Sequence, residues 1–164
     1  MNIKINFKSN SGFSLMEVIV AITIIVVGMI AIMSLMTTNI TTGSYDRQKI
    51  VAINLAQEGI ELVKNIRDSN WADNKNWDQK IKNKSDYRMS YDWNDLKNGC
   101  NQFLKIDNNG FYNYDAGNDT VFKRCINTSD LADGGIQVKS KVTWTDRGKP
   151  HSVEITSHLY EWQD

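Results

Sequence analysis

The chain has 164 residues and a formal net charge of zero at pH 7, from 19 basic and 19 acidic side chains. That length leaves room for one membrane helix and one further domain of roughly 100 residues, so two full globular domains are not expected. The balanced charge gives no support to bulk electrostatic binding of nucleic acid, which needs a basic face, although a local basic patch is compatible with it.

An apolar stretch near the N-terminus is the first predicted element. No charged residue occurs between Glu17 and Asp46, and residues 18–36 contain only aliphatic residues, Met, Gly, Thr and Ser. This run approaches the ~20 residues that a helix needs to cross a hydrocarbon core of about 30 Å. It is longer than the apolar core of a secretory signal, and no A-x-A cleavage site follows it closely. The stretch therefore predicts a transmembrane helix.

A short signature, GFSLME at residues 12–17, joins a polar leader to this stretch. It resembles the class III signal of type IV prepilins and type II secretion pseudopilins. The resemblance implies that a prepilin peptidase cleaves between Gly12 and Phe13. It also implies that residues 1–12 are removed as a leader and that the new amino terminus, at Phe13, becomes N-methylated.

Glu17 is the candidate assembly residue. An ionisable residue at the margin of a membrane span is a functional hypothesis by default; the alternative is that its carboxylate reaches interfacial water and has no role. The resemblance implies that the carboxylate pairs with the methylated amino terminus of a neighbouring subunit, so that two charges compensate each other in apolar surroundings. Many major pilins carry a proline in the membrane segment, and its absence here favours a minor pilin or a pseudopilin.

Charge around the apolar stretch predicts its orientation. The lysines that precede it are Lys4 and Lys8, and no positive cluster follows it directly. Because positively charged flanks tend to remain in the cytoplasm, the N-terminus is expected there and the bulk of the chain across the membrane. The expected location is a single-pass inner (cytoplasmic) membrane, followed, as the resemblance implies, by an extracellular or periplasmic filament.

The helix is predicted to continue past the membrane, to about residue 68, because no proline occurs before Pro150. Residues 37–44 are weak helix formers and are a place where the helix could bend. Residues 50–67 then show the spacing of an amphipathic helix. Its main apolar stripe consists of Val51, Leu55, Gly59, Leu62 and Ile66. We therefore divide the helix into a membrane or filament-core half, residues 13–36, and an amphipathic half, residues 37–68.

Residues 69–164 predict a β-rich globular domain. Its polar connecting loop comes first, at residues 68–84. Short strands follow at residues 87–93, 103–106, 111–114 and 121–126. The Asn-Gly pair between the second and third of these strands predicts a hairpin, because tight turns need residues that tolerate positive φ.

The last third of the chain has the clearest strand pattern. Apolar and polar residues alternate over residues 136–144, a turn is predicted at residues 146–150, and a return strand at residues 152–162. The apolar face of this antiparallel hairpin needs a partner, and the amphipathic half of the helix can cover it. The expected fold class is α+β, with a long N-terminal helix packed on a C-terminal antiparallel sheet. This is also the pilin-like fold that the resemblance implies.

Two cysteines, Cys100 and Cys125, lie in the part predicted to be translocated, where disulfides persist. Pairing is the prediction, and two free thiols are the alternative. Neither cysteine has a second Cys or a His at ligand spacing, and His151 and His158 are distant in sequence, so a zinc site has little support.

Other site chemistry has weak signals. Asp107, Asp115 and Asp119 invite comparison with the calcium loop of some pseudopilins, but they lack the alternating spacing of an EF-hand loop. No metal and no cofactor are expected. The sequence contains no nucleophile elbow, P-loop or H-E-x-x-H motif, so the chain is not expected to be an enzyme.

The expected function is that of a minor pilin or pseudopilin, a structural subunit of a type IV pilus or a type II secretion filament. Its expected partners are the prepilin peptidase, other pilin or pseudopilin subunits, and the membrane before assembly. An enzyme tethered by a signal anchor is disfavoured, because no catalytic constellation is visible.

The alternative function is a pilus-tip adhesin or a DNA-uptake receptor whose β domain binds a ligand. Exposed aromatic residues near Lys and Arg can stack on single-stranded DNA. The residues considered for this role are Trp71, Trp77, Tyr112 and Tyr114. A hydrophobic core or a subunit interface explains them as well, so binding of nucleic acid is possible but unsupported.

Overall fold

The computed structural model describes residue 12 and residues 14–161, apart from the side chains of residues 40 and 41. The chain divides into two compact units, Met1–Ser44 and Tyr45–Asp164. Phe13 and most of the predicted leader lie outside the described residues. The predicted boundaries at residues 12, 36 and 68 stay predictions.

One long helix, α1 (Leu15–Ala72), begins in the first unit. The carbonyl of Ser14 accepts hydrogen bonds from the backbone amides of Glu17 and Val18, at 3.0 and 3.2 Å, and so starts the helical ladder. All residues from 14 to 39 are exposed within this chain. The helix continues through residues 37–44 despite their weak helix propensity.

The helix in the second unit buries one face. Side chains at three- and four-residue intervals form its stripe, as an amphipathic helix requires. The buried members are Ala52, Leu55, Ala56, Ile60, Leu62, Val63 and Ile66. The helix ends at Ala72, four residues beyond the prediction, and Asn74 then adopts a φ of 55°. Asparagine tolerates this left-handed conformation, which commonly ends a helix.

Five antiparallel strands form the larger sheet, in the spatial order β2-β1-β6-β7-β8. The strands are β1 (Tyr87–Arg88), β2 (Lys97–Asn98), β6 (Lys123–Asp130), β7 (Ile136–Asp146) and β8 (Lys149–Leu159). Two differences from the sequence prediction concern length. The strand predicted at residues 87–93 is reduced to two residues, and the one predicted at residues 121–126 begins at Lys123 and extends to Asp130.

The β7–β8 hairpin has the predicted alternation. Its inward-facing residues in β7 are all buried: Ile136, Val138, Ser140, Val142 and Trp144. The turn is tighter than predicted, because Arg147 and Gly148 both have positive φ, at 49° and 76°, and connect the strands by themselves. Pro150 therefore lies within β8, opposite Thr145. A proline is tolerated there because β8 is an edge strand of the described sheet.

A smaller sheet has the strand order β4-β3-β5. Its strands are β3 (Lys105–Ile106), β4 (Tyr112–Asn113) and β5 (Asn118–Asp119). The predicted hairpin is present in shortened form, with Lys105 opposite Asn113. Gly110, at a φ of 86°, supplies the positive φ in its turn. The third strand, β5, was not predicted.

The core of the second unit lies between the helix and the sheets. One cluster joins Ile60, Val63 and Ile66 to residues of β6–β8, and a second joins Ala52 and Leu55 to both sheets. The predicted α+β, pilin-like fold, a long N-terminal helix packed on antiparallel strands, is confirmed. Gly59 marks the closest approach, since a Cβ there would lie 2.3 Å from the Oγ of Ser140.

Candidate processing and assembly site

Gly12 precedes the helix and is exposed. A Cβ built on it would meet no heavy atom within 4 Å. Nothing within the described part of this chain therefore requires a glycine at this position. A requirement for glycine here has to come from a molecule that contacts the backbone closely.

Glu17 lies in the first turn of α1 and is exposed. A carboxylate in the first helical turn interacts favourably with the unpaired amides and the positive end of the helix dipole. Its apolar neighbours are also exposed: 77% for Leu15, 73% for Met16 and 45% for Val18. Among the described residues, no cationic side chain forms an ion pair with Glu17.

None of the described residues of the apolar stretch is buried within the chain. Helix α1 is long and apolar enough to cross a membrane, and its most apolar window has a mean hydropathy of 3.0. Continuous apolar surface of this extent marks a membrane or a protein interface. Thr23 and Thr37 do not interrupt it, because each hydroxyl donates to a carbonyl one turn earlier, at 2.8 and 2.9 Å.

Residues 7–33 match the family model described as the prokaryotic N-terminal methylation motif. The chain carries a prepilin-type N-terminus. This motif, followed by a long apolar helix, is consistent with the type IV pilin superfamily. It implies processing by a prepilin peptidase and assembly with other pilins, and it points to a structural subunit and not to an enzyme. Comparison with curated proteins and with solved structures gave no significant match.

The second unit of the chain contains a disulfide between Cys100 and Cys125. The bridge joins the segment that follows β2 to strand β6. A carboxylate oxygen of Asp86 lies 3.7 Å from the Sγ of Cys125. These three residues are the described group with the spacing of a metal site. Both sulfurs are bonded to each other, so they are not thiolate ligands in this state.

The aspartates compared with a calcium loop have other contacts. The carboxylate of Asp107 accepts hydrogen bonds from two backbone amides of its own turn, at 2.8 and 2.9 Å. Asp115 accepts a hydrogen bond from the indole Nε1 of Trp93 at 2.8 Å. Asp119 lies in β5 opposite Lys105. The three carboxylates do not converge into a candidate metal cluster among the described residues.

The aromatic residues considered for stacking on DNA do not form one exposed surface. Tyr114 is only 1% exposed and Trp77 packs against the core, whereas Trp71 is 45% exposed. Burial raises the pKa of Tyr114 and that of the half-buried Tyr112. The expectation that all four are exposed is thus wrong for Tyr114. Other aromatic side chains are exposed instead: Tyr91, Phe103 and Phe111.

Sequence reasoning missed Arg124, which is completely buried in β6. Its guanidinium donates to the backbone carbonyls of Leu55 in α1 and Met89 after β1, at 3.0 and 2.6 Å. It also lies 3.3 Å from the carboxylate of Glu58. The signal was available in the alternation of β6, which places Arg124 on the same face as Ile126. One side chain therefore joins the helix, the sheet and the segment after β1.

Proposed function

We propose that this protein is the precursor of a minor pilin or pseudopilin, a structural subunit of a type IV pilus or a type II secretion filament. The observation that carries the proposal is the methylation motif at residues 7–33 on a helix whose apolar surface is unburied within the chain. Such a surface is stable in lipid, and it is equally stable against the apolar helices of neighbouring subunits.

The first step of the proposal is cleavage between Gly12 and Phe13, with N-methylation of Phe13. The open space around Gly12 among the described residues supports a requirement set by the peptidase. In cells that contain a prepilin peptidase, Gly12→Val should leave the full-length precursor, measured by intact-protein mass spectrometry. Gly28→Ala is the matched control, because Gly28 also has open space around it, and this variant should be processed normally. Normal loss of the leader from Gly12→Val would contradict the proposal.

The second step is selection of a neighbouring subunit by Glu17. A charge without a partner is costly in apolar surroundings, and the amino group of a neighbouring Phe13 would supply the opposite charge. Glu17→Gln should be cleaved normally but should be depleted from sheared filaments, measured by immunoblot against total cellular protein. Glu61→Gln is the control, because Glu61 is an exposed acid on the same helix. Unchanged filament content of Glu17→Gln would contradict the pairing role.

The proposed location is the inner membrane with a cytoplasmic N-terminus, followed by an extracellular or periplasmic filament. In this arrangement residues 13–36 form the membrane-embedded and later filament-core half of the helix. Residues 37–68 form the amphipathic half, and residues 69–164 form the β-rich domain. The disulfide supports translocation of that domain, because disulfides persist in oxidising compartments and are rare in the cytosol.

A further inference from the structure

A groove of about 520 Å³ lies within the second unit, beside the C-terminal end of α1. One wall is the helix, where Asn65 and Ser69 lie four residues apart and share a face, and Asp73 follows directly after the end of the helix. The opposite wall follows β1 and contains Tyr91 and Trp93. The apolar floor contains Leu62, Ile66 and Met89. This volume is within the range of small-molecule sites, ~300–1,000 Å³.

The charged groups that line the groove are neutralised by neighbours. The Nζ of Lys75 lies 2.7 Å from the carboxylate of Asp73, and this hydrogen bond lowers the pKa of Asp73. The Nζ of Lys80 lies 3.5 Å from the carboxylate of Asp95. An ionic ligand would therefore find no unpaired counter-charge among the lining groups. The groove favours a ligand without net charge.

Uncharged side chains whose hydrogen-bonding groups have no partner among the described residues also line the groove. The side chains of Asn65, Ser69 and Asn94 line the groove and are exposed, and none of them bonds to another described group. Each side-chain amide, and the serine hydroxyl, can both donate and accept hydrogen bonds. These groups match a ligand that itself carries many groups able to donate and accept.

The aromatic wall combines a fixed ring with an exposed one. Trp93 is held by stacking on Tyr114, with ring centroids 5.5 Å apart, and by the hydrogen bond from its Nε1 to Asp115. Tyr91 is 52% exposed, and its ring lies 5.7 Å from that of Phe111. A wall held in this way needs little ordering when a ligand binds. The ring of Tyr91 offers apolar area next to the free amides.

We propose that this groove binds a neutral carbohydrate. A sugar ring has hydroxyl groups that donate and accept, together with apolar C–H faces that pack on aromatic rings. Asn65, Ser69 and Asn94 supply partners for the hydroxyls, and Tyr91 supplies the apolar platform. Aromatic residues combine large contact area with a low entropic cost of ordering, which suits them to this role. The binding site is independent of the proposed filament function, and either can fail without the other.

The test uses the full chain in lipid nanodiscs or in a detergent without a sugar headgroup, because maltosides and glucosides would compete for the groove. The probes are lactose, maltose, cellobiose and N,N′-diacetylchitobiose at millimolar concentration. Ligand-observed saturation-transfer NMR should show transfer of saturation from the protein to the ring protons of at least one probe. Tyr91→Ala should weaken that binding by roughly fivefold to tenfold, and the double variant Asn65→Ala with Ser69→Ala should weaken it similarly.

The matched control is Phe103→Ala, which removes an aromatic ring of similar exposure, 43%, outside the groove. Transfer should be unchanged in this variant. The inference is overturned if none of the four neutral probes shows transfer, or if both groove variants bind as the wild type does. Stronger binding of a sialylated or sulfated probe would also overturn it, because it would show a charged ligand. A further outcome would also overturn it: no probe shows saturation transfer, but the wild-type chain self-associates and Tyr91→Ala abolishes that association. The groove would then be assigned to a second copy of the chain.

Discussion

Replacing Arg124 by methionine tests what holds the helix to the sheet. Arg124 is fully buried, so its contacts are not screened by water. Methionine keeps most of the side-chain volume and removes the guanidinium. The carbonyls of Leu55 and Met89 both lose their guanidinium donor, at 3.0 and 2.6 Å. The carbonyl of Leu55 still belongs to helix α1, whereas Met89 lies outside the helix. The change therefore removes charged hydrogen bonds without opening a large cavity.

The expected loss follows from these contacts. Hydrogen bonds from a charged donor contribute about 1.5–3 kcal/mol each, so two of them give a gross loss of about 3–6 kcal/mol. The Nε of Arg124 is buried without a partner, and removing it returns about 1–3 kcal/mol. Taking the midpoints of these two ranges, we expect the free energy of unfolding to fall by about 2–3 kcal/mol.

The assay is urea unfolding of the full chain in micelles, followed by tryptophan fluorescence, since Trp144 is buried in the same unit. Glu58→Gln is the comparison. The side chain of Glu58 is 33% exposed, so loss of its charge should lower the free energy of unfolding by less than about 1 kcal/mol. Arg124→Met within about 0.5 kcal/mol of wild type, or a Glu58→Gln variant that loses as much, would refute the reasoning.

Two further predictions concern the second unit. Replacing Cys100 and Cys125 together by serine should lower the free energy of unfolding by about 3 kcal/mol, because the closed loop has a sequence separation of 25; an unchanged urea midpoint would contradict this. Burial raises the pKa of Tyr114 above its ordinary value of 10.0. Its contribution to stability is therefore complete below pH 10 and is lost as pH rises through the folded pKa. Above pH 10, the free energy of unfolding of Tyr114→Phe should therefore fall less steeply with pH than that of the wild type. Equal slopes for the two proteins would contradict this prediction.

The fold was largely predictable where one periodicity extends over many residues. The apolar stretch and the alternation of Ile136, Val138 and Val142 each repeat one pattern, so a single exception does not change the assignment. The amphipathic stripe was also located, although the prediction did not include the buried Ala52. These patterns alone specify a long helix on an antiparallel hairpin.

The short strands could be predicted only in part, because their pairing is not local. Strand β1 is two residues long, and its place is set by its neighbours β2 and β6. Asn118 and Asp119 are poor strand formers, yet they pair with β3 across a chain reversal. The alternation of β6 places Arg124 on the inward face, but its acceptors at Leu55 and Met89 could not be predicted because they are distant in sequence.

The groove could not be found from sequence, because its two walls are separated in the chain. Asn65 and Ser69 are unremarkable on an exposed helical face, and Tyr91 belongs to a segment predicted as a strand. Because β1 ends at Arg88, Tyr91 and Trp93 lie outside the strand, and they line the groove together with residues of the helix.

The N-terminal charges give a physical reason for the order of processing and assembly. Before the proposed cleavage, the nitrogen of Phe13 is an uncharged peptide amide, so the amine that is proposed to pair with the Glu17 of a neighbour does not yet exist. Cleavage creates the amine, and a methylated amine still carries its positive charge. In the proposed mechanism the peptidase therefore makes the partner that Glu17 lacks among the described residues. In the same proposal, a carboxylate that stays unpaired in apolar surroundings opposes assembly, so retention of the leader disfavours incorporation through the missing charge.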